Sequence, residues 1–589
     1  MYIIDTYNAI PENGEINTHQ KRGDEFLKVS LPKIMIKVNQ LHIKFPQEKT
    51  ENYVVKNVSF QLEKNQILGI VGESGSGKSL TSLAIMGLLP KNAIVEGEVW
   101  FDGDNILGYG PKDFLKIRGN KIGMIFQEPM SSLNPTMTCG KQVAEVLKQH
   151  TNLSKFEIKE EVLSLFEKVK LPRPEGIFKS YPHQISGGQK QRVMIAMAIA
   201  CKPDLLIADE PTTALDVTVQ KEIISLLKSL QQENEMSILF ISHDLSLVSE
   251  IADDVLVLQK GNVVEQGSAE SIFKNAKEEY TKALIGSKPT LNKRLKKLPT
   301  VEDFVNETVR DAEYSNEERL RFHQRLYEGK PLLEVNDIKK YYLKNSWFSK
   351  DDAVKAVDGV SFKIYEGETL GLVGESGCGK TTLGRTILHL EESSGGTIVY
   401  KGRDITRLNA QQLKELRKEV QIIFQDPFSS LNPRVTVGAA ILEPMKVHKI
   451  LSNEKERKSY VLQLLEKVGL SEEHYHRYPH EFSGGQRQRI GIARAIALQP
   501  KLIICDESVS ALDVSVQAQV LNLLNSLKEE FNFSYIFISH DLSVVKYMSD
   551  QLVVMNKGKI EEIGDADAIY NSPKSTYTQN LINAIPKGL

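Results

Sequence analysis

Three features are scarce in this chain of 589 residues, and each scarcity excludes a class of protein. The four cysteines, Cys139, Cys201, Cys378 and Cys505, form no C-x-x-C pair or metal-ligand cluster, which favours a reducing compartment over a disulfide framework. No apolar run approaches the roughly 18–20 residues that span a bilayer. The formal net charge is only -2, so bulk charge does not favour nucleic-acid binding.

The N-terminal segment has no apolar core of about 7–15 residues, which a signal peptide requires. We therefore do not interpret it as a signal peptide, and we expect a mobile tail over residues 1–33. What the chain does have is an ordinary globular composition, 41% apolar and 25% charged. Its length is beyond one hydrophobic core, so several domains are expected.

The clearest motif is Gly72-Glu73-Ser74-Gly75-Ser76-Gly77-Lys78-Ser79, which fits G-x-x-x-x-G-K-[ST]. An apolar run that predicts a strand precedes it, and residues 80–86 predict a helix. This context predicts a phosphate-binding loop, in which backbone N–H groups and the helix N-terminus face phosphate oxygens. Lys78 would reach the β- and γ-phosphates, and the Ser79 hydroxyl would ligate Mg²⁺.

A chance glycine-rich turn is the alternative, and a second copy of the motif argues against it. Gly374-Glu375-Ser376-Gly377-Cys378-Gly379-Lys380-Thr381 also follows an apolar run. Further motifs recur in the same order, at offsets of 302, 298, 297, 297 and 297 residues: Lys78 and Lys380, Gln127 and Gln425, Ser186 and Ser483, Asp209 and Asp506, His243 and His540. The near-constant offset indicates a duplicated domain and not a solenoid, whose unit is about 20–50 residues.

We place the first copy at residues 34–286 and the second at residues 332–589, with a connector over residues 287–331. The connector is expected to be partly helical, because two pairs predict capping boxes: Thr300 with Asp303, and Ser315 with Glu318. It also carries a basic cluster of four residues: Lys293, Arg294, Lys296 and Lys297. We expect this cluster to be a solvated face.

Within each copy, short continuous apolar runs such as Leu205 to Ala208 and Ile238 to Ile241 alternate with helical segments. Such runs are typical of parallel strands covered by helices on both faces, which predicts an α/β core. The stretch between Gln127 and Ser186 is helical in pattern, as is the corresponding stretch of the second copy. Each copy is therefore expected to carry a helical insert.

Carboxylates follow two of the predicted strands. Asp209 and Asp506 end apolar runs beside the phosphate loops, where a carboxylate holds Mg²⁺ directly or through water. Glu210 and Glu507 come next, and a second carboxylate there can polarise the attacking water as general base or orienter. A surface turn is the alternative for one such pair, but the pair occurs twice.

A histidine and a glutamine complete the set of catalytic candidates in each copy. His243 and His540 follow the next strand and can contact the γ-phosphate; the alternative is a buried structural histidine. Gln127 and Gln425 begin the helical inserts and can touch the metal or water; the alternative is a solvated strand end.

A second anion site is predicted at Ser186-Gly187-Gly188-Gln189 and at Ser483-Gly484-Gly485-Gln486, since each precedes a helix. Two anion sites in each copy make sense if the copies face each other. Lys78 and Ser483 would then hold one ATP, and Lys380 and Ser186 the other.

This ordered set of motifs resembles the ATP-binding cassette (ABC) family over about residues 34–270 and 332–570. The resemblance implies two P-loop NTPase cassettes, each a mainly parallel sheet core with an antiparallel β subdomain and a helical insert, that close head-to-tail around two ATP molecules. It implies that Tyr342 and Phe45 stack on adenine and that Leu80 and Thr382 belong to the nucleotide sites. It also implies the Mg²⁺ ligands, namely Ser79, Gln127, Asp209, Thr381, Gln425 and Asp506.

A narrower resemblance, to the peptide and nickel importer branch, covers three pairs of segments: residues 126–135 and 424–433, 181–184 and 478–481, 280–284 and 577–581. Unfused members of that branch carry a cysteine-rich tail that can hold an iron–sulfur cluster. This chain has no cysteine between Cys201 and Cys378, so no cluster is predicted.

The resulting hypothesis is an ATPase with both nucleotide-binding domains in one chain, each hydrolytically active, that powers import of peptides or a related small solute. It implies two transmembrane permease subunits, an extracytoplasmic substrate-binding protein and a peripheral place at the cytoplasmic face of the inner (plasma) membrane, held only through the permeases. One alternative is a soluble tandem ABC ATPase acting on ribosomes or nucleic acid, which the mixed charge of the connector disfavours. Export is a third possibility.

Overall fold

The computed structural model describes residues 33–46, 51–213, 215–291, 293–309, 312–343, 353–426 and 430–586. Apart from Lys33, the predicted N-terminal tail lies outside the described residues, as do residues 427–429 of the second importer-like segment. In the described ranges, no helix combines the length and the hydropathy needed to cross a membrane.

The first copy contains two sheets. An antiparallel sheet has four strands, in the order Glu51–Glu63, Ile34–Pro46, Ile94–Phe101 and Asp104–Asn105. The central sheet has six strands, in the order Asn262–Ser268, Asp254–Gln259, Ile67–Val71, Ser237–Ile241, Leu205–Asp209 and Ile122–Ile125. Only the edge strand Asn262–Ser268 runs antiparallel to its neighbour, so the central sheet is mainly parallel.

The second copy repeats this topology. Its antiparallel sheet has the order Ala353–Tyr365, Pro331–Leu343, Gly395–Tyr400 and Arg403–Asp404. Its central sheet has the order Val420–Ile423, Leu502–Asp506, Ser534–Ile538, Thr369–Val373, Gln551–Asn556 and Lys559–Asp565. The fold-class prediction is therefore confirmed: two P-loop cassettes with parallel cores and antiparallel subdomains.

Helices cover both central sheets. Those of the first copy are Lys78–Ile85, Pro111–Ile117, Pro129–Ser132, Cys139–His150, Lys155–Lys168, Pro174–Lys179, Gly187–Ile199, Val217–Asn234, Leu245–Ile251, Ala269–Lys274 and Glu279–Gly286. Those of the second are Lys380–Ile387, Ala410–Glu419, Val437–Val447, Glu454–Lys467, Gly484–Ile496, Val514–Phe531, Leu542–Met548, Ala566–Asn571 and Thr576–Asn583. Short 3₁₀ turns occupy Ile106–Gly108, Pro182–Gln184, Glu472–His476 and Pro479–Glu481.

The predicted helical insert is present in each copy, and its helices follow from local sequence. Lys155–Lys168 begins at a capping box, in which Ser154 and Glu157 satisfy each other's backbone N–H groups. Its buried side chains, Ile158, Val162, Leu165 and Phe166, recur at helical spacing and form the face that packs on the rest of the cassette.

The cores of the two copies meet. Val217 of the first copy is buried within the core of the second, and Val514 of the second is buried within that of the first. Both valines begin the helix that follows the Asp-Glu motif of their own copy. Burying these apolar side chains across the contact favours a fixed arrangement of the two copies.

The connector contains the helices Val301–Val305 and Asn316–Tyr327, and both predicted capping boxes are present. The expectation of a solvated basic face is wrong for Arg294, whose side chain is only 12% exposed and donates to the carbonyl oxygen of Ser549 in the second copy. The three lysines of the cluster are largely exposed and pair with acidic residues of the connector. The charge pattern in the sequence does not distinguish Arg294 from the three lysines, because their exposure depends on which side chain faces the cassette.

Candidate functional site

The functional motifs converge because parallel strands bring their carboxyl ends to one edge of each sheet. In the first copy, Ile70 pairs with Ile241, and Asp209 pairs with Ile241 from the other side. The phosphate loop, the Asp-Glu pair and the histidine segment therefore leave neighbouring strands at the same edge. The same pairing recurs in the second copy between Leu372, Ile538 and Asp506.

Each phosphate loop needs glycine at its first position. A Cβ at Gly72, whose φ is +152°, would lie 2.2 Å from the carbonyl oxygen of Leu258, and one at Gly374 would lie 2.2 Å from that of Met555. No side chain fits at that distance, so these glycines allow the loop to approach the next strand. The last glycine of each loop also has a left-handed φ and begins the following helix.

Lys78 and Lys380 lie over their own loops. The Lys78 ammonium donates to the carbonyl oxygens of Gly72 and Glu73, at 2.7 and 2.9 Å. Lys380 makes the same two bonds, at the same distances, to the corresponding carbonyls of its loop. Both lysines are buried, and burial lowers the pKa of Lys78. Each loop thus holds a fixed cation in the position where a phosphate would bind.

A hydroxyl and a carboxylate meet below each loop. Ser79 Oγ lies 3.0 Å from Asp209 Oδ1, and Thr381 Oγ1 lies 2.9 Å from Asp506 Oδ1. Burial raises the pKa of Asp209 to about 6, and the hydrogen bond from Ser79 offsets this only in part. Burial also raises the pKa of Asp506. A hydroxyl and a carboxylate are the oxygen ligands that a divalent cation prefers. Such a cation would stabilise the charged form of the aspartate, which burial disfavours.

In the first copy, three predicted catalytic side chains come together at one carboxylate. Glu210 Oε2 accepts a hydrogen bond from Gln127 Nε2 at 3.0 Å and lies 3.1 Å from His243 Nδ1. It also accepts a hydrogen bond from Thr213 Oγ1 at 2.9 Å. The sequence analysis did not select Thr213. In the second copy, Glu507 Oε2 accepts from Gln425 Nε2 at 2.8 Å and lies 3.4 Å from His540 Nδ1.

The backbone at both glutamates is unusual. Glu210 has φ +47° and Glu507 has φ +48°, in the left-handed region that non-glycine residues rarely adopt. The N–H group of each donates to the carbonyl oxygen of the neighbouring strand's last residue, Ile241 or Ile538, at 2.9 Å. The turn therefore costs conformational energy, about 1–3 kcal/mol, at the residue best placed to act on water.

The glutamate and histidine of each copy favour each other's charged form. Burial opposes the charge of Glu210, but the hydrogen bond and charge of His243, together with Lys78, lower its pKa to about 2. The pKa of Glu507 is lowered in the same way, with burial outweighed by His540. Burial likewise opposes the charge of both histidines, yet their glutamate partners raise the histidine pKa values. Both glutamates are therefore ionised at neutral pH.

The two Ser-Gly-Gly-Gln segments each begin a helix. Ser186 and Ser483 cap these helices, each accepting from the backbone N–H of the glutamine three residues later at 3.3 Å. A Cβ at Gly485 would lie 2.4 Å from Val516, so the second glycine is required by helix packing. A Cβ at Gly484 would meet no atom within 4 Å, which leaves the first glycine open to an approaching ligand.

The copies face each other across their phosphate loops. Asp216 Oδ2 of the first copy accepts from the backbone N–H of Ser376 in the second loop, at 3.3 Å. In the reverse direction, Ser515 Oγ of the second copy donates to Glu73 Oε1 in the first loop. These contacts are head-to-tail, as the resemblance implies. The pairing of Lys78 with Ser483 and of Lys380 with Ser186 around ATP stays a prediction.

The predicted adenine-stacking residues occupy equivalent places. Phe45 pairs with Asn52 across the antiparallel sheet, and Tyr342 pairs with Val354 at the same register position of the second copy. Tyr342 is 40% exposed and its hydroxyl contacts Glu391, whereas Phe45 is half-buried against the core. Leu80 and Thr382 lie in the first turn of the helices that follow the phosphate loops.

Two further tyrosines contact the loops. The hydroxyl of Tyr280 accepts from the backbone N–H of Glu73 at 3.3 Å, and that of Tyr577 accepts from the N–H of Glu375 at 3.1 Å. Both lie in the repeated C-terminal segments of their copies, but sequence reasoning assigned them no role. Their recurrence at the common offset of 297 residues is the signal that identifies them.

Comparison with known proteins places the two copies among described families. The family described as ABC transporter matches residues 55–213 and 357–510, and that described as oligopeptide/dipeptide transporter, C-terminal region, matches residues 264–315 and 562–588. The glutathione import ATP-binding protein GsiA of Escherichia coli O157:H7 is 45% identical over 562 residues, 94% of this chain and 89% of that protein. GsiA of Shigella dysenteriae serotype 1 (strain Sd197) matches with the same identity and coverage.

The fold also has similar solved structures. A dimeric, post-hydrolysis structure of the ATP-binding cassette MJ0796 bound to ADP and Pi is 25% identical to this chain. It covers 40% of this chain and 98% of its own, with a TM-score of 0.37.

Proposed function

Because the chain belongs to the ABC transporter family, we infer that it is an ATP-hydrolysing subunit, with both cassettes in one chain, that powers import of peptides or a related small solute. The observation that carries this inference is the arrangement found twice: a glutamate carboxylate between a glutamine and a histidine, beside a phosphate loop. The relatives at 45% identity are named as import ATP-binding proteins. A ribosome- or nucleic-acid-directed ATPase is therefore not favoured, and neither is export.

ATP would be held by the N–H groups of the phosphate loops and by Lys78 and Lys380. Mg²⁺, which neutralises charge on the phosphates during phosphoryl transfer, would be held by Ser79 with Asp209 and by Thr381 with Asp506. Gln127 and Gln425 lie at hydrogen-bond distance from the catalytic glutamates and are additional candidate metal ligands. No iron–sulfur cluster is proposed.

The chemistry left to the protein is positioning a water molecule and accepting its proton. Glu210 and Glu507 are ionised, and the contacts described above all involve Oε2, so we propose that Oε1 faces that water. His243 and His540 hold the carboxylates and, on closure, would reach the γ-phosphate. Hydrolysis then yields ADP and phosphate and allows the two cassettes to separate.

Transport requires permease partners, since import must cross a bilayer. We propose two transmembrane permease subunits, docked in the grooves beside Gln127 and Gln425, and an extracytoplasmic substrate-binding protein. In the second copy, a groove on the helical insert is lined by Val435, Ala440, Pro444, Val447 and Arg494, and it supports this proposal. The chain would lie peripherally at the cytoplasmic face of the inner membrane, held by these contacts alone.

The test is reconstitution with the proposed permease and binding-protein subunits. We expect ATP-dependent uptake of a labelled peptide into vesicles, with glutathione and a dipeptide as the first two solutes compared. A chain in which Lys78 and Lys380 are both replaced by alanine is the matched control and should abolish uptake. Recovery of the chain with ribosomes and not with membrane proteins would contradict the proposal.

A further inference from the structure

The two catalytic carboxylates differ in one hydrogen bond. Thr213 Oγ1 donates to Glu210 Oε2 at 2.9 Å in the first copy. The corresponding residue of the second copy is Ser510, whose hydroxyl instead donates to the backbone carbonyl oxygen of Glu507, also at 2.9 Å. The two sites thus share the glutamate, glutamine and histidine but not this donor.

The extra donor changes how firmly the carboxylate is held. In the first site, Gln127, Thr213 and His243 all reach the same oxygen, Oε2, within 3.1 Å. The terminal torsion of a glutamate is broad and roughly two-fold, so donors on one oxygen determine which oxygen faces the reactants. Among the described residues of the second site, Gln425 is the one side chain that donates to Glu507 Oε2 within 3.1 Å, since His540 lies 3.4 Å away.

Thr213 also lies where the copies meet. Its side chain and that of Ser510 line the same gap between the two histidine segments, with Asp244 and Asp541 close by. Closure of the cassettes would therefore affect the surroundings of both residues. Of the two, Thr213 donates a hydrogen bond to the carboxylate of its glutamate. Preorganising a catalytic group in this way raises the rate without changing ligand binding.

We propose that Thr213 is a positioning residue for ATP hydrolysis in the first site and that the two sites are unequal because Ser510 does not play this role. The inference rests on the proposed ATPase function. Thr213 acts through Glu210, whose second oxygen is kept toward the water, and it does not itself contact nucleotide.

Three variants of the full chain test this: Thr213→Val, Thr213→Ser and, as the matched control, Ser510→Val. We expect Thr213→Val to lower kcat for ATP hydrolysis by about five- to tenfold with less than a twofold change in KM, since the loss affects positioning and not binding. Thr213→Ser keeps a hydroxyl and should retain at least half of kcat. Ser510→Val should change kcat by less than twofold.

Equal losses in Thr213→Val and Ser510→Val would overturn the inference, as would an unchanged kcat in Thr213→Val or a Thr213→Ser variant as impaired as Thr213→Val. Thermal unfolding of each variant, within about 2 °C of the parent, separates a catalytic loss from misfolding, and Thr213→Ser provides the folded comparison if the valine variant is unstable. An unaltered chain that hydrolyses no ATP contradicts the proposed function instead.

Discussion

The two cassettes have equivalent side chains at their phosphate loops and different ones at the opposite end of the same strands. Asp253 and Asp550 occupy equivalent positions, and each accepts from the first N–H of the strand that leads into its phosphate loop, at 2.8 and 2.9 Å. Only Asp550 also meets Lys528, at 3.2 Å, and His323 of the connector, at 3.7 Å. The residue equivalent to Lys528 is Gln231, which donates to the carbonyl oxygen of Asn65.

The connector forms further ion pairs with residues that the first cassette lacks at the equivalent positions. Arg319 pairs with Asp565, at 3.1 Å, and with Asp567, which also lies 3.5 Å from Arg294. The equivalent positions of the first cassette are Ser268 and Glu270. The two copies therefore share their motifs at one edge of the sheet and differ at the other edge, where the connector packs against the second cassette.

The largest effect should come from removing the proposed catalytic carboxylates, because both cassettes carry the same glutamate, glutamine and histidine there. Glu210→Gln and Glu507→Gln keep the side-chain shape but remove the charge, and general-base catalysis contributes about 10²–10⁴-fold. We expect each variant alone to lower ATP hydrolysis and uptake at least about tenfold. If one substitution leaves both measurements unchanged, the prediction of two hydrolytic sites is wrong.

At the specialised edge, the matched pair is Asp550→Asn and Asp253→Asn. The first leaves Lys528 and the connector without their carboxylate and should cost about 3 kcal/mol, because removing one partner of a buried ion pair is strongly destabilising. The second keeps an amide oxygen that can accept from the Ile67 N–H and loses only the charge, so it should cost about 1 kcal/mol.

Hydrogen exchange of the strands Thr369–Val373 and Ile67–Val71 reports the two cassettes separately. Equal loss of protection in the two variants would show that the connector adds nothing to the stability of the second cassette.

A pH-dependent difference is expected at Glu368, whose equivalent in the first cassette is Gln66. Burial raises the pKa of Glu368 to about 7, although the backbone N–H of Tyr365 and the hydroxyl of Tyr327 donate to its carboxylate at 2.7 and 3.1 Å. The native state therefore binds this proton more tightly than the unfolded chain does, and stability falls as the pH rises from about 4.5 to about 7.

The variant Glu368→Gln removes this titration, so its stability relative to the parent should increase between pH 5 and pH 8 by about 2–3 kcal/mol. Urea unfolding of the second cassette at the two pH values measures the difference. A gain that does not change with pH would contradict the raised pKa.

The smallest effect concerns the adenine-stacking residues. If Tyr342 and Phe45 stack on adenine, Tyr342→Ala and Phe45→Ala should each raise KM for ATP about three- to tenfold, since an aromatic stacking pair contributes about 0.5–1.5 kcal/mol. Tyr342→Phe is the matched control and should behave like the parent. Unchanged KM values in both alanine variants would remove these residues from the nucleotide sites.

Much of the fold and of each half-site could be predicted from local sequence. The phosphate loop, the Asp-Glu pair and the capping boxes at Ser315 and Thr300 are short patterns whose backbone geometry is set by neighbouring residues. The duplication added to this, because a motif in both copies at a near-constant offset is unlikely to arise by chance. The ABC family and the ATPase activity followed from the order of the motifs, and the comparisons confirm them.

By itself, the sequence determined the fold class and the duplication and selected the candidate reacting groups, because these depend on residues close together in the chain. Only the tertiary structure decided that Asp216 meets the second phosphate loop, that Arg294 packs against the second copy, and that Thr213 donates to the carboxylate of Glu210 whereas Ser510 donates to the backbone of Glu507. Each of these depends on the direction of one side chain relative to an element far away in sequence. Composition and spacing carry no information on that direction, which is set when the two cassettes and the connector pack together.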